Sequence, residues 1–524
     1  MNTTVSATNT RKVGFGSGMR VLSFASSTGV ALMLTPFVVH SLGDRSYGLW
    51  ALVTALSSYY ALLDLGLSGA VTRHLAGALG GNDGEECNRI ASTSLAMYLA
   101  LGAVVLACSV GIALAGAIFI SHPAELQTFR KIILIVGGGT AISIPMRVFF
   151  GLINANLRFD ISSSLEVLSV LLRAIFTWLS LKSGAGITAL AWINFGAAAF
   201  SLLLSAYCSR RVSPSLMLSP QFICRAVARK LFSYGSISLV AQVADLLRFQ
   251  MDALVVAAFA GVAAVTHYNI AGSMAQYYIC FMIALTGTLG PLFSRLHGTG
   301  DRERTAQVFQ FSTKISVAIA TFVGFGILSL GRSFIARWMG PSYLDSYPAM
   351  VALTLGAMTA LCQTPSLQLL YGISKHGLFA VFNSLEGVAN LVLSILLVRH
   401  FGLLGVALGT MIPMALTKLF VQPWYFCRIM HFDLWDYYAL LGKSFSAAVL
   451  ALLLPAALIF RFAAADYKVM GVLLTVSLLC FVPVLFFLLF TSPERDSLRN
   501  ALGDFLNRAA RSQYASADTV ASDA

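Results

Sequence analysis

Apolar segments of about twenty residues recur along nearly the whole of this 524-residue chain. A helix of about 20 residues crosses the hydrocarbon core of a bilayer, which is about 30 Å thick. We count about fourteen such segments. Their approximate centres lie near residues 29, 58, 106, 141, 172, 197, 246, 279, 319, 360, 388, 415, 450 and 480. The chain is therefore predicted to be an all-α integral membrane protein.

The composition excludes a soluble globular protein. Hydrophobic residues make up 57% of the chain and charged residues only 11%, whereas soluble domains carry about 25% charged residues. The net charge of +13 does not indicate nucleic-acid binding, because Lys and Arg are scattered singly between apolar segments. The eight cysteines include no CxxC pair, so we expect neither a disulfide framework nor a metal site.

The distribution of Lys and Arg predicts the orientation. When loops are assigned alternately from a cytoplasmic N-terminus, the inside loops carry about twice as many Lys and Arg as the outside loops, so both termini are expected in the cytoplasm. The predicted organisation is a cytoplasmic tail (1–16), an N-terminal transmembrane half (17–208), a cytoplasmic linker (209–230), a C-terminal transmembrane half (231–426), two additional transmembrane helices (427–492) and a cytoplasmic amphipathic and disordered tail (493–524).

An internal repeat with an offset of about 220 residues relates the two halves. The tripeptide Ser164 to Glu166 recurs as Ser384 to Glu386, and the turn at Gly43 recurs at Gly261. Dividing about fourteen spans equally gives a unit of seven, and two copies with an odd number of spans cross the membrane in opposite senses. The repeat thus predicts two inverted seven-span halves with a transport site between them.

One stretch, Ser41 to Ala76, combines a polar turn at Gly43 with an apolar segment that holds Asp64 and ends at Arg73. Its motifs, with others further on, are Leu42-Gly43, Tyr47-Gly48-Leu49-Trp50, Leu63-Asp64-Leu65-Gly66-Leu67, Arg73, Pro145, Gly151-Leu152, Ala155 and Arg158-Phe159-Asp160. This pattern resembles the polysaccharide transporter branch (Wzx-type O-antigen and exopolysaccharide flippases) of the multidrug/oligosaccharidyl-lipid/polysaccharide exporter superfamily.

The resemblance implies a fold and an activity. The implied fold is a V-shaped pair of six-helix lobes around a central cavity, followed by two extra C-terminal helices. The implied activity is alternating-access flipping of an undecaprenyl-diphosphate-linked oligosaccharide across a bacterial inner membrane, for lipopolysaccharide or exopolysaccharide assembly. A polysaccharide polymerase and glycosyltransferases are the implied protein partners.

Basic residues within the predicted spans are candidates for binding the lipid diphosphate. Each central Arg or Lys costs about 2.5–3.5 kcal/mol on insertion scales, so several of them together require a polar interior. A guanidinium binds a diphosphate through paired hydrogen bonds. The candidates are Arg173, Arg147, Arg20 and Arg248. Arg173 lies deepest, whereas Arg20 and Arg147 lie nearer the ends of their spans, where a side chain also reaches the interface.

Five carboxylates within the spans have two alternative roles, coupling to H⁺ or Na⁺ and structural hydrogen bonding. They are Asp64, Asp245, Asp252, Glu166 and Glu386. Asp245, Arg248 and Asp252 follow i, i+3, i+7 spacing, which places them on one helix face and allows an Arg248–Asp252 pair. That face is either a neutralised packing stripe or a cavity wall. No cofactor is expected beyond a coupling ion.

Three other functions remain open. One is an integral scaffold without transport, which the charges within the spans count against. A cation-coupled drug or metabolite exporter of the same superfamily shares the general pattern. A membrane glycosyltransferase or ligase would need a large outside loop with clustered His, Asp or Glu, and the outside loops are short. The chain also lacks a G-x-x-x-x-G-K-[ST] nucleotide motif. We therefore expect a transporter and no catalytic residues.

Overall fold

The computed structural model describes residues 2–499 except 65, 82, 119, 121, 157, 233–249, 374, 376, 463–465 and 497–498. The side chains of residues 2–25 and 380 are also outside the description. Within these ranges the regular structure is helical and includes no strand. The helices are α1 (Asn2–Ser58), α2 (Leu67–Gly80), α3 (Gly84–Ala115), α4 (Pro123–Ala155), α5 (Phe159–Lys182), α6 (Ile187–Val212), α7 (Met251–Ala260), α8 (Val262–Thr286), α9 (Leu289–Thr299), α10 (Arg302–Trp338), α11 (Ser346–Leu361), α12 (Thr364–Gly372), α13 (Gly377–Leu416), α14 (Gln422–Met430), α15 (Leu434–Arg461) and α16 (Tyr467–Leu489).

Among the described residues, nine helices are long and apolar enough to cross a membrane, or up to eleven if each of two bent helix pairs is one span. The predicted span centred near residue 246 falls outside the described residues. The all-α multi-pass membrane architecture expected from the apolar segments is therefore confirmed, and the total of fourteen spans stays a prediction.

Helix starts follow the chemistry of polar caps. Asp83, Asp433 and Asp466 precede α3, α15 and α16, and each side chain accepts hydrogen bonds from backbone amides at the start of its helix. These bonds satisfy first-turn amides that have no partner within the helix. Polar loops thus separate the apolar helices.

The chain forms two compact units, each with its own core. Unit 1 comprises Met1–Tyr277, Trp338–Gly356 and Gly377–Thr417, and unit 2 comprises Tyr278–Arg337, Ala357–His376 and Lys418–Ala524. In unit 1, α2, α3 and α4 bury a continuous cluster of apolar side chains, which includes Leu75, Tyr98 and Val148. In unit 2, Phe309 stacks on Phe426 with ring centroids 4.7 Å apart.

Three glycine turns of unit 1 share one backbone conformation. Helix α1 is two helices joined at Gly43, where φ is 75° and ψ is 164°. Gly261, between α7 and α8, has φ 91° and ψ 164°. Gly340, after α10, has φ 108° and ψ 163°. Glycine adopts positive φ without the steric penalty that other residues incur. The same turn conformation thus occurs at three places in unit 1.

These three turns touch one another, and we call their contacts the glycine-turn cluster. The Thr266 hydroxyl donates to the backbone oxygen of Asp44 at 2.7 Å, and the Asn269 amide donates to the Tyr47 hydroxyl at 2.9 Å. The Tyr343 hydroxyl donates to the Asp44 carboxylate at 2.5 Å. Burial raises the pKa of Tyr343, and so does Asp44, which keeps this hydroxyl protonated as a donor.

The residues that follow Gly43 and Gly261 are in direct contact, since the Thr266 hydroxyl donates to the backbone oxygen of Asp44. Helices α2 to α6 lie between these two turns in the chain, and so does the segment 233–249, which is outside the described residues. The seven-span unit and the inverted sense of the repeat therefore stay predictions.

Close helix packing at Gly48 generates a first prediction. A Cβ atom at Gly48 would overlap the backbone oxygen of Val262, whereas nothing lies within 4 Å of a Cβ at Gly29, on the same helix. We expect Gly48→Ala to lower stability by about 1–3 kcal/mol through overpacking. Gly29→Ala should be neutral or slightly stabilising, because Ala has the better helix propensity.

The measurement is the melting temperature of each purified variant in detergent. Equal melting temperatures for the two variants would show that the α1–α8 contact tolerates a methyl group and would contradict this packing.

Candidate functional site

A polar cavity of about 680 Å³ lies within unit 1, between residues of α2, α4, α5 and α6. Three of the charged residues singled out in the sequence line it: Arg147 of α4, and Glu166 and Arg173 of α5. Most of the remaining polar lining consists of hydroxyl and amide side chains. These are Ser68, Thr72, Thr140, Ser143, Asn154, Ser162, Ser163, Ser169, Asn194 and Ser201. Each of these groups can donate and accept hydrogen bonds.

The fold gives Arg147 a partner that lies far away in sequence. Its Nη1 atom is 2.5 Å from Oδ1 of Asp64, a buried carboxylate. The other oxygen of Asp64 accepts a hydrogen bond from the Ser68 hydroxyl at 2.8 Å and a longer one from the Ser68 amide at 3.4 Å. Asp64 ends a 3-10 turn that precedes α2. The carboxylate therefore neutralises Arg147 and holds the first turn of α2.

Arg173 and Glu166 share one face of α5. They are seven residues apart, i and i+7, which places them two helical turns apart on the same side. Both side chains line the cavity. The cavity wall thus carries two guanidinium groups and the carboxylate of Glu166. Asp64, which pairs with Arg147, supplies a second negative charge, so the four formal charges sum to zero.

A second polar site in unit 1 surrounds Asp252 of α7, whose side chain is buried; we call it the Asp252 cluster. The Tyr268 hydroxyl donates to Oδ2 of Asp252 at 2.5 Å, and the Thr410 hydroxyl donates to the same oxygen at 2.9 Å. The Asn390 side chain also bonds to this carboxylate. Among the described residues, the hydrogen-bond partners of Asp252 are therefore neutral hydroxyl and amide groups.

The Asp252 cluster extends along one face of α13. Glu386, Asn390 and Ser394 are each four residues apart and are all at most 3% exposed. The Ser394 hydroxyl donates to Oδ1 of Asn390 at 2.9 Å. The sequence analysis singled out Glu386 and Asp252 but missed Tyr268, Asn390 and Thr410. The four-residue spacing of polar groups in an apolar helix is the signal that identifies this face.

Three candidates lie outside what the structure describes: the side chain of Arg20, and the residues Asp245 and Arg248. The Arg248–Asp252 pair therefore stays a prediction. Within the described ranges, no group of three or more His, Cys, Asp and Glu side chains is placed to hold a metal ion.

The Arg147–Asp64 pair generates a second prediction. Asp64→Asn keeps an acceptor for Ser68 but leaves Arg147 without its counter-charge. We therefore expect the free energy of unfolding to fall by on the order of 2 kcal/mol. Adding Arg147→Gln should recover part of that loss. The matched control is Asp160→Asn, which removes the partner of Arg158 in a half-exposed pair at the start of α5; such pairs contribute about 0–1 kcal/mol.

Thermal unfolding of the three variants in detergent is the measurement. Two results together would refute the structural role of the Asp64 carboxylate. Asp64→Asn would have the same melting temperature as Asp160→Asn, and adding Arg147→Gln to Asp64→Asn would not raise it.

Comparison with known proteins places this geometry among membrane transporters. Residues 16–297 match the family described as Polysaccharide biosynthesis protein. A putative O-antigen transporter from Shigella flexneri is 23% identical over 427 residues, which are 78% of this chain and 96% of that protein. The family match confirms the resemblance drawn from the motifs between Leu42 and Asp160.

Two solved structures share the fold. The lipid II flippase MurJ, in an inward closed conformation, gives a TM-score of 0.68 at 15% identity and covers 88% of this chain and 97% of its own. A MATE family multidrug resistance transporter of the MOP superfamily, in an inward-facing conformation, gives a TM-score of 0.67 at 16% identity and covers 77% of this chain and 94% of its own. Likeness at these identities establishes the fold alone. Since the family match spans more than half of its residues, this chain belongs to the polysaccharide biosynthesis protein family.

Proposed function

We propose that this protein flips an undecaprenyl-diphosphate-linked oligosaccharide from the inner to the outer leaflet of a bacterial inner membrane, by alternating access. The observation that carries the proposal is the cavity of unit 1, where Arg147 and Arg173 lie among hydroxyl and amide groups inside membrane-spanning helices. The cargo would serve the assembly of a surface polysaccharide or an exopolysaccharide.

The two guanidinium groups suit a diphosphate. A guanidinium presents a planar fork of N–H donors that matches phosphate oxygens, and such charge-assisted bonds are about twice as strong as neutral ones. Asp64 competes for Arg147, and Glu166 lines the same cavity. This competition limits how tightly the diphosphate is held, which allows release after the cavity opens to the other side.

The hydroxyl and amide lining suits the oligosaccharide. Sugar hydroxyls both donate and accept hydrogen bonds, as Ser, Thr and Asn side chains do. The lining also includes apolar and aromatic side chains, among them Met146, Phe150 and Phe195.

The fold does not distinguish the two rival transporters, because a lipid flippase and a multidrug transporter match it almost equally well. The sequence relatives do distinguish them. The family is described by polysaccharide biosynthesis, and the Shigella flexneri relative is named an O-antigen transporter. Lipid-linked oligosaccharide is therefore the preferred cargo over a drug, and transport is preferred over a glycosyltransferase or ligase reaction.

The Asp252 cluster is the proposed site of coupling to H⁺ or Na⁺. A carboxylate deep in a membrane protein is costly unless its charge has a use. Asp252, Asn390 and Thr410 supply several oxygen atoms in one buried place. Oxygen atoms are the ligands that hard cations prefer, and protonation of the carboxylate is the alternative way to remove its charge.

Location and partners complete the proposal. Both termini are proposed to lie in the cytoplasm, because Lys and Arg predominate in the loops assigned to the inside. A transporter of lipid-linked oligosaccharide receives its cargo from cytoplasmic glycosyltransferases. It delivers that cargo to a polysaccharide polymerase or ligase on the other side, and these enzymes are the proposed partners.

The transport test uses liposomes loaded with lipid-linked oligosaccharide and a leaflet-specific probe. Wild-type protein should expose the lipid in the opposite leaflet, and Arg173→Gln should slow exposure at least about tenfold, since a charge-assisted bond contributes about 1.5–3 kcal/mol. The control is Lys182→Gln, which removes a charge from the exposed end of the same helix.

Equal flipping rates for Arg173→Gln and wild type would show that the cavity of unit 1 does not bind the diphosphate through Arg173. Cation-driven efflux of a small drug, without movement of any lipid-linked oligosaccharide, would establish the rival exporter.

The coupling test compares flipping with and without an imposed Na⁺ or pH gradient. Asp252→Asn should abolish the response to the gradient, because the amide neither carries the charge nor takes up the proton. Tyr268→Phe should weaken the response by removing one hydrogen bond to the carboxylate. Glu303→Gln, an exposed acidic residue in the first turn of α10, should respond as wild type does. A gradient response that survives in Asp252→Asn assigns coupling to another site.

A further inference from the structure

A second cavity, of about 600 Å³, lies within unit 2 at a place where three chain turns meet. These turns are the connection between α9 and α10, the segment after α12, and the connection between α14 and α15. The sequence assigns the Lys and Arg residues of all three to the cytoplasmic side. The cavity of unit 1, which we call the cargo cavity, shares no lining residue with this one.

The cavity carries an excess of basic side chains. His297, Arg302, Lys375 and His431 line it, and the acidic residue among its lining is Asp301. Asp301 is already used as a helix cap, since its Oδ1 accepts the amide of Arg304 at 2.9 Å. Arg302 and Lys375 thus present positive charge from two different turns toward one volume.

Local backbone structure fixes these turns. The Tyr425 hydroxyl donates to the backbone oxygen of Lys375 at 2.7 Å, which ties that segment to α14. His431 has a φ of 56°, the left-handed conformation that non-glycine residues seldom adopt. The amide of Phe432 donates to the oxygen of Cys427 at 3.1 Å and closes α14 in this geometry. Hydrogen bonds to the backbone therefore fix the positions of Lys375 and His431.

The other part of the lining is apolar. Leu296, Ile373, Ile429, Met430 and Phe432 line the same volume as the basic side chains. A free inorganic anion makes no use of an apolar wall, whereas the glycerol and first acyl carbons of a phospholipid do. Basic pockets at the cytoplasmic ends of transmembrane helices suit anionic headgroups.

We propose that this pocket binds the phosphate headgroup of an anionic phospholipid from the cytoplasmic leaflet. Arg302 and Lys375 contact the phosphate, and the five apolar side chains contact the adjoining glycerol and acyl carbons. The site is separate from the cargo cavity in the residues that form it, and its test is a binding measurement that does not depend on transport.

The experiment measures phosphatidylglycerol retained by the purified full chain, using native mass spectrometry after exchange into mixed phosphatidylglycerol and phosphatidylcholine vesicles. The double variant Arg302→Gln/Lys375→Gln should retain phosphatidylglycerol at least about tenfold less than wild type, because both charge-assisted contacts to the phosphate are lost. The matched control is Arg304→Gln/Arg428→Gln, which removes the same charge from exposed residues of α10 and α14 outside the lining.

The pocket is supported if the first double variant alone loses the lipid. Equal loss in both double variants would attribute retention to general surface charge, and no loss in either would exclude the pocket. Displacement of the lipid by excess inorganic phosphate, with equal retention of that phosphate, would identify a free-anion site and overturn the lipid assignment. Should the double variant fail to fold, Lys375→Gln alone answers the same question, because this exposed residue holds α14 through its backbone oxygen.

Discussion

An ionised side chain inside the hydrocarbon of a membrane needs a partner, and this requirement shapes unit 1. Arg147 is neutralised by Asp64, and Asp64 in turn accepts hydrogen bonds from Ser68 at the start of α2. Asp252 is stabilised differently, by the hydroxyl groups of Tyr268 and Thr410. The first arrangement leaves charged groups facing a polar cavity. The second encloses one carboxylate among neutral donors.

Much of the fold follows from the sequence, because a span of about twenty apolar residues is a local feature. The position of Arg147 and Arg173 within predicted spans was also a local feature, and both line the cavity. The Arg147–Asp64 pair could not be predicted, since its two residues are distant in the chain and only the packing of α2 against α4 joins them. The repeat offset gives a period in residues but no long-range contact, so the hydrogen bond between Thr266 and Asp44 was not predicted.

The residues missed around Asp252 share a physical reason. A single Tyr, Thr or Asn in an apolar helix costs far less than a charge and so does not stand out by hydropathy. The role of Asn390 and Thr410 is visible only in the folded chain, where α13 places both of them beside the Asp252 carboxylate. The same holds for the basic cavity of unit 2, whose cations come from separate turns that the sequence describes only as positively charged loops.

The glycine-turn cluster joins its three turns through hydrogen bonds, and the chain beside the turns is apolar and buried. Val39, Leu49 and Val265 are each at most 3% exposed. At Gly48 the helix after the first turn approaches the backbone of Val262 so closely that no methyl group fits between them. Hydrogen bonds and apolar packing therefore hold the same helix ends together. Separating these turns would also expose the apolar side chains beside them to water, so the free-energy cost of separation exceeds that of the hydrogen bonds alone.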